Sequence, residues 1–119
     1  MQLTVLADSP DCLAVATSGT VSRSAMPGGD EPLAEMFGLD VYARPILIGL
    51  ADSEYMDSSG VSWLLMCHKR CKQAGGRLVV HSLPPMISQI LKVLRMELVL
   101  ELATSEADAR RRLGCEGQA

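Results

Sequence analysis

The amino-terminal part of the chain carries two short apolar runs with an alternating pattern. They cover residues 2–8 and 12–19, and a turn-forming Asp-Ser-Pro-Asp segment at residues 8–11 separates them. In the second run, larger side chains between Leu13 and Thr17 alternate with small ones, which is typical of a strand with one face on a core. The pattern therefore predicts an antiparallel hairpin.

Beyond this hairpin, strand patterns and helix patterns alternate. Residues 46–51 are apolar on both faces, which indicates a strand covered on both sides within a sheet. A helical period then begins at Asp57 and ends at a Gly-Gly pair at residues 75–76. The predicted order after the hairpin is a loop over 20–30, a short helix over 31–39, the strand at 46–51, the helix from Asp57, a strand at 78–80, a helix opened by Pro84, a strand at 99–102 and a helix over 105–113. This order predicts one α/β domain, in which a helical crossover joins the strands at 46–51 and 78–80 as a parallel pair.

Two of the predicted helices have a defined apolar side, which we expect to be the buried one. In the helix from Asp57, this stripe consists of Val61, Leu64, Leu65, His68, Cys71 and Lys72. In the helix from Pro84, the shared apolar face consists of Met86, Ile87, Ile90, Val93 and Leu94.

Composition and charge exclude several classes of protein. The chain has 119 residues, of which 48% are hydrophobic and 21% charged, so it is long and apolar enough to fold without a disulfide or a metal ion. Its net charge of -3 and its 3% of aromatic residues argue against binding to nucleic acid or to an anionic membrane. No apolar run approaches the ~18 residues of a membrane span, and the amino terminus lacks the basic start of a signal peptide. We therefore expect a cytoplasmic protein.

The four cysteines do not form a disulfide or metal pattern. Cys67 and Cys71 lie four residues apart on a predicted helix, with His68 between them, so a metal site has to be considered. Zinc sites usually take four ligands from two short pairs, and the second pair is missing here. We expect these thiols to act as small buried hydrophobic groups, with no metal bound.

The segment at residues 55–61, Tyr-Met-Asp-Ser-Ser-Gly-Val, lies between the buried strand and the amphipathic helix. Asp57 suits the N-cap position, which places Ser58 and Ser59 in the first helical turn. Gly60 allows a neighbouring backbone to approach closely. A phosphate on one of these hydroxyls would meet free backbone N–H groups and the positive end of the helix dipole, so the folded domain could carry it. From the residues alone, simple capping of the helix is the commoner explanation.

The combination of an apolar strand, an aromatic-Met-Asp-Ser-Ser-Gly-aliphatic segment, a helix, a Gly-Gly turn and Leu-Val-Val resembles the STAS domain of bacterial anti-sigma factor antagonists. The likeness is densest over residues 46–80, and residues 83–113 follow the same order of strands and helices. The resemblance implies a single STAS-like α/β domain over residues 1–119, with a mixed sheet of about four to five strands and helices packed mainly on one face. The last few residues are expected to form a flexible tail.

The same resemblance implies a function. In this family, the first serine of the Asp-Ser-Ser-Gly segment is phosphorylated by an anti-sigma factor that is itself a serine kinase, and the matching residue is Ser58. The unphosphorylated domain binds the anti-sigma factor and so frees a sigma factor, whereas the phosphorylated domain releases its partner. A phosphatase is expected to restore the binding form. The resemblance implies no enzymatic activity, cofactor or metal ion, and no nucleic-acid or membrane partner.

We expect the partner to bind around the start of the helix from Asp57 and the loop over residues 20–30. Loops at the carboxyl ends of strands form the natural docking edge of such sheets. The predicted contact residues are Asp57, Ser58, Ser59, Gly60, Ser22, Ser24, Trp63 and Met66. Trp63 has a second interpretation, as a core residue packed under a loop. If it is exposed, it would be an anchor for the partner.

Two other functions stay open at this point. A hydrolase with Ser58 or Ser59 as nucleophile needs a base and an oxyanion hole, but the chain offers only His68 and His81 as imidazole bases and no Gly-x-Ser-x-Gly segment. A STAS module without phosphorylation would instead be a structural or small-ligand-binding component of a signalling or transport complex.

Overall fold

The computed structural model describes residues 2–9, 11–22 and 32–114. These residues form five strands, which are β1 (Gln2–Ser9), β2 (Cys12–Val21), β3 (Pro45–Met56), β4 (Arg77–His81) and β5 (Glu101–Ala103). They also form four helices, which are α1 (Pro32–Phe37), α2 (Ser58–Ala74), α3 (Pro85–Val93) and α4 (Glu106–Leu113). Two 3₁₀ turns cover Leu39–Ala43 and Met96–Leu98. In this part of the chain, no helix is long and apolar enough to cross a membrane.

The five strands of the described ranges form one mixed sheet in the order β1-β2-β3-β4-β5. β1 and β2 pair antiparallel, and each later pair is parallel. The prediction of a single α/β domain with a mixed sheet is therefore confirmed. Because β2 to β5 run in one direction, their carboxyl ends lie along the same edge of the sheet.

Alternate residues of the strands point into two separate cores. On one face, Ile48 of β3 and Val80 of β4 belong to an apolar cluster that also contains residues of α1, α2 and α3. On the other face, Leu47 and Val79 pack with Ala109 of α4. Among the described helices, three therefore cover the first face and one covers the second. This confirms that the helices lie mainly on one face.

β3 extends further than its apolar run predicts. The sequence pattern ends the strand at residues 52–54, yet the strand continues to Met56 because it stays paired with β2 over this stretch. Ser53 is buried, and its hydroxyl forms a hydrogen bond with the hydroxyl of Thr17 on β2. The polar residues on either side of Ser53 are exposed. Pairing with β2, which is distant in sequence, thus keeps these polar residues in the strand.

β5 begins later than predicted. The sequence pattern places the strand at residues 99–102, whereas the structure places it at Glu101–Ala103. The reason lies in the preceding 3₁₀ turn, where the backbone N–H groups of Val99 and Leu100 both donate to the carbonyl oxygen of Met96, at 3.0 and 2.7 Å. These donors are used by the turn and are not available to a strand ladder.

The buried side of α2 is rotated relative to the predicted stripe. Leu65 and His68 are only half-buried, and Lys72 is exposed. The buried residues of α2 are Gly60, Val61, Trp63, Leu64, Cys67 and Cys71. Trp63 accounts for the rotation, because its ring is the largest apolar surface on the helix and gains most from burial. The predicted stripe is therefore wrong at Leu65, His68 and Lys72.

α3 buries only one edge of its predicted apolar face. Ile87 of that face is fully buried, and so is Leu91, one turn further on, which the predicted face did not include. Met86, Val93 and Leu94 are 55%, 74% and 46% exposed. The apolar side of α3 is wider than its contact with the sheet, so only one ridge of side chains reaches it. The predicted burial of these three residues is wrong, and they form an exposed apolar face.

Candidate functional site

α2 begins at the carboxyl end of β3, and Asp57 is its N-cap, as predicted. The Oδ1 atom of Asp57 accepts hydrogen bonds from the backbone N–H of Gly60 at 2.9 Å and from the hydroxyl of Ser59 at 2.6 Å. These donors stabilise the ionised carboxylate, so the pKa of Asp57 is lowered, with the Ser59 hydroxyl the largest cause. The start of α2 therefore carries a fixed negative charge at neutral pH.

The two serines of the first turn differ in what their hydroxyls do. Ser59 is half-buried, and its hydroxyl is engaged by Asp57. Ser58 is exposed at the first position of the helix. A kinase could reach the Ser58 hydroxyl without breaking the capping bonds, whereas modification of Ser59 would disrupt them.

Gly60 is the point where α2 lies closest to the sheet. A Cβ atom at this position would be 2.1 Å from the carbonyl oxygen of Val21, at the end of β2, and 2.9 Å from Cγ of Met56. The same Val21 carbonyl accepts the backbone N–H of Asp57 at 3.3 Å. The expected close approach at Gly60 is confirmed, and it fixes the position of the whole first turn.

Of the two serines expected from the preceding loop, only Ser22 lies within the described residues. It follows β2 directly and is buried, with 4% of its surface exposed. A side chain this buried is not offered to a partner, so the expectation that Ser22 is a direct contact is corrected. Ser24 lies outside the described residues.

Trp63 is fully buried in the core between α2 and the sheet. The structure therefore agrees with the interpretation of Trp63 as a core residue. The expectation that Trp63 contacts a partner is corrected. Met66 is half-buried and packs against the same core. It lies about 12 Å along the helix from Ser58, since each residue adds ~1.5 Å. Neither residue is part of an exposed surface around Ser58.

The structure exposes other residues beside Ser58 that sequence reasoning missed. Tyr55 is 46% exposed, and Asp52 and Glu54 are exposed on the same end of β3. We call Asp52, Glu54, Tyr55, Asp57 and Ser58 the acidic edge. A period-2 pattern could not have found them, because Glu54 and Tyr55 are exposed in succession where the register of β2 and β3 shifts between Gly19 and Thr20.

The acidic edge has no cationic residue nearby in sequence. Between Pro45 and His68 the chain contains no Lys or Arg. Three carboxylates precede or flank Ser58 within a few residues, so the local field is negative. A group bound here would be attracted if it is basic and repelled if it is acidic.

The geometry does not support a hydrolase. His68 lies on the same helix about 15 Å from Ser58, given ~1.5 Å per residue. His81 is buried, and its Nδ1 atom shares a hydrogen bond with the Ser82 hydroxyl at 2.8 Å. The Ser59 hydroxyl bonds to the Asp57 carboxylate and the His81 ring to Ser82, so the described residues give no sign of an imidazole base at the serines.

The cysteines of α2 are core residues. Cys67 and Cys71 are both buried, and burial raises the pKa of Cys71 to about 11. A thiol with this pKa stays protonated at neutral pH, whereas a metal ion binds the thiolate. In the part of the chain that the structure describes, no group of three or more His, Cys, Asp or Glu residues could hold a metal ion.

A family model described as "Mlab, STAS domain" matches residues 9–102, which include β2 to β4 and the whole acidic edge. The chain belongs to the STAS domain family. The resemblance seen in the sequence is thereby confirmed.

Solved structures of STAS proteins have the same fold. An anti-sigma factor antagonist from Mycobacterium paratuberculosis matches with a TM-score of 0.77 and 17% identity, over 95% of each chain. The anti-sigma factor antagonist SpoIIAA in its unphosphorylated form matches with a TM-score of 0.70 and 16% identity, over 95% of this chain and 97% of that one. The Bacillus cell fate determinant SpoIIAA in the phosphorylated form matches with a TM-score of 0.64 and 15% identity, over 94% of this chain and 99% of that one. At these identities, the likeness establishes the fold.

Proposed function

We propose that this STAS domain is a non-enzymatic anti-sigma factor antagonist that binds an anti-sigma factor with its acidic edge and releases it when Ser58 is phosphorylated. The observation that carries the proposal is the contrast between the two serines. Ser58 is exposed at the start of α2, while the hydroxyl of Ser59 is held by Asp57. The anti-sigma factor is a serine kinase in this proposal, a phosphatase restores the binding form, and the exchange takes place in the cytoplasm.

The unphosphorylated edge has the properties of a docking surface. Tyr55 offers an exposed aromatic ring, a residue type favoured at the centre of interfaces. The carboxylates of Asp52, Glu54 and Asp57 attract a basic surface on the partner and orient it. Ser58 lies among these groups, so a change at its hydroxyl acts inside the contact.

Phosphorylation of Ser58 would change the surface without unfolding the domain. The phosphate adds about -1.5 to -2 charges at pH 7, and the positive end of the α2 dipole lies beside it and stabilises them. The stretch from Pro45 to His68 contributes no Lys or Arg to offset the added charge, and Asp57 repels it. A phosphate is strongly hydrated and must lose water if a partner is to cover it. A loss of about 3–5 kcal/mol in binding corresponds to a decrease in affinity of roughly 150-fold to 5,000-fold.

Phosphorylation is tested by mass spectrometry. The full chain is incubated with ATP and the anti-sigma kinases encoded by the same genome, and the phosphate is located by peptide mapping. We expect one phosphate on Ser58 in the wild type, one in Ser59→Ala, and none in Ser58→Ala. Phosphate on Ser59 or Ser62, or no phosphate with any of these kinases, would contradict the proposal.

A second candidate function is a STAS module that works without phosphorylation, as a structural or ligand-binding component of a signalling or transport complex. The observation that favours it is the description of the matching family model, which names Mlab and not an anti-sigma factor antagonist. In that case Ser58→Ala and Ser58→Asp would retain the same partners as the wild type in affinity purification. Under the partner-switching proposal, Ser58→Asp loses the anti-sigma factor.

A further inference from the structure

The exposed apolar side chains of α3 follow one stripe along the helix. Met86, Ile90 and Val93 are separated by four and three residues, which places them in line on one side. Gln89 and Leu94 lie on either side of this stripe, and the five residues together line a shallow groove of about 380 Å³. Met86 and Val93 are 55% and 74% exposed. We call these five residues the α3 groove.

The α3 groove contains no charged residue. Lys92 comes two positions after Ile90, and this spacing of about 200° around the axis puts it on the opposite side of the helix. Arg95 follows the end of α3 and does not line the groove. The centres of protein interfaces are depleted of charged residues and enriched in Met, so the groove has the composition of such a centre. A surface that covers it must itself be apolar and free of unpaired charges.

A second copy of this chain provides a surface of this kind, because its own α3 groove is apolar and uncharged. A segment of the same chain could cover the groove only if it carried several apolar side chains. Residues 23–31 and 115–119, which lie outside the described ranges, contain one large apolar side chain, Met26. An anionic membrane is disfavoured by the net charge of -3.

The size of the exposed surface also fits a dimer. The exposed parts of the four apolar side chains amount to roughly 350 Å² per copy, as large as the main apolar patch of a typical monomer. Homodimer interfaces are about 65% apolar, so this surface corresponds to an interface that buries roughly 1,100 Å² over both copies. This area lies just above the ~1,000 Å² expected of a biological interface, at the low end of the range. The area therefore predicts a weak dimer.

We propose that two copies of this domain associate through their α3 grooves in a two-fold symmetric dimer. In this arrangement the same surface is used on both copies, and the stripe of each helix packs into the groove of the other. The contact closes after two copies, so no larger assembly forms through it. The proposal does not depend on Ser58 or on phosphorylation.

The association is measured by sedimentation velocity on the full chain, from about 5 µM to about 1 mM, a range that covers weak complexes. A reducing agent is present, so that no disulfide joins two copies. Val93→Glu and Met86→Glu each place a carboxylate in the groove at an exposed position, and circular dichroism checks that both variants are folded. Lys92→Gln is the matched control, because it lowers the net charge by the same amount on the other side of the helix. Phosphatidylglycerol vesicles are tested in parallel by co-sedimentation.

We expect the wild type to change from monomer to dimer with a dissociation constant on the order of 10–100 µM, and to form no larger species. Val93→Glu and Met86→Glu should weaken the dimer at least about tenfold, since the interface would then bury two unpaired carboxylates. Lys92→Gln and Ser58→Asp should stay within about twofold of the wild type.

Four results would each overturn the proposal. The first is a wild type that is still monomeric at about 1 mM. The second is a dimer that Val93→Glu leaves unchanged, which would place the contact elsewhere, for example along the edge strand β1. The third is a loss in Lys92→Gln equal to that in Val93→Glu, which would show an effect of net charge alone. The fourth is a monomer that binds the vesicles and loses this binding in Val93→Glu, which would assign the groove to a membrane.

Discussion

A methyl group at residue 60 would lie 2.1 Å from the carbonyl oxygen of Val21, where an ordinary contact is 3.4 Å or more. In Gly60→Ala, either the first turn of α2 or the end of β2 must therefore move by more than about 1 Å. The carbonyl oxygen cannot simply turn away, because it also accepts the backbone N–H of Asp57. The substitution tests whether this close approach holds the acidic edge in place.

Opposing contributions set the size of the effect. Forcing extra volume into a packed contact costs about 1–3 kcal/mol. Displacing the Gly60 N–H from Asp57 weakens the N-cap and costs about 1 kcal/mol more. Alanine returns about 1 kcal/mol through its higher helix propensity. The net destabilisation is about 1–3 kcal/mol, which lowers the melting temperature by about 4–12 °C in a domain of this size.

The assay is urea unfolding followed by circular dichroism, with the midpoint and the slope compared between variants. Ser62→Ala is the matched control, because it adds helix propensity at an exposed position of the same helix. We expect the control to be as stable as the wild type or slightly more stable. If Gly60→Ala also equals or exceeds the wild type, the close approach does not exist as described and the reasoning about the first turn fails.

Three further predictions concern stability and pH. Trp63→Ala should lower the free energy of unfolding by about 3–5 kcal/mol, because it empties a fully buried site; an unchanged melting temperature would contradict a core position. Asp57→Ala should lower it by about 1 kcal/mol in urea unfolding through loss of the N-cap, and no loss would show that other groups cap α2. Burial lowers the pKa of His81 from 6.5, so as the pH falls below about 6.5 the unfolded chain binds a proton that the folded domain resists. Stability should therefore be full above this pH and decrease towards pH 5, and His81→Gln should flatten this decrease; an equal slope in both proteins would exclude His81 as its source.

The parts of the fold that the sequence predicts are those determined by local patterns. The apolar run at residues 46–51 and the change to a helical period after Asp57 depend only on neighbouring side chains. The continuation of β3 to Met56 could not be found in this way, because it depends on pairing with β2. The buried side of α2 could not be predicted from a local pattern either. It depends on which side chains pack against the sheet, and Trp63 is one of them.

The candidate site also combines features that the local sequence predicts with features that depend on tertiary packing. The N-cap at Asp57 and the exposure of Ser58 follow from the order of residues at a helix start. The burial of Ser22 and the exposure of Tyr55 depend on how β2 and β3 end against each other, which no local pattern contains. The sequence therefore points to Ser58, the proposed phosphorylation site, more directly than to the surface around it.

The central claim, that a phosphate on Ser58 ends binding to an anti-sigma factor, is tested most directly by one affinity comparison. The domain is prepared unmodified, with phosphoserine incorporated at Ser58, and with phosphoserine incorporated at Ser62 as a control of equal charge on the same helix. Each form is titrated calorimetrically with the anti-sigma factor encoded by the same genome. We expect the phosphate at Ser58 to weaken binding by about a few hundred-fold or more, and the phosphate at Ser62 to weaken it much less. Affinities for the unmodified and Ser58-phosphorylated forms that agree within about twofold would contradict the account.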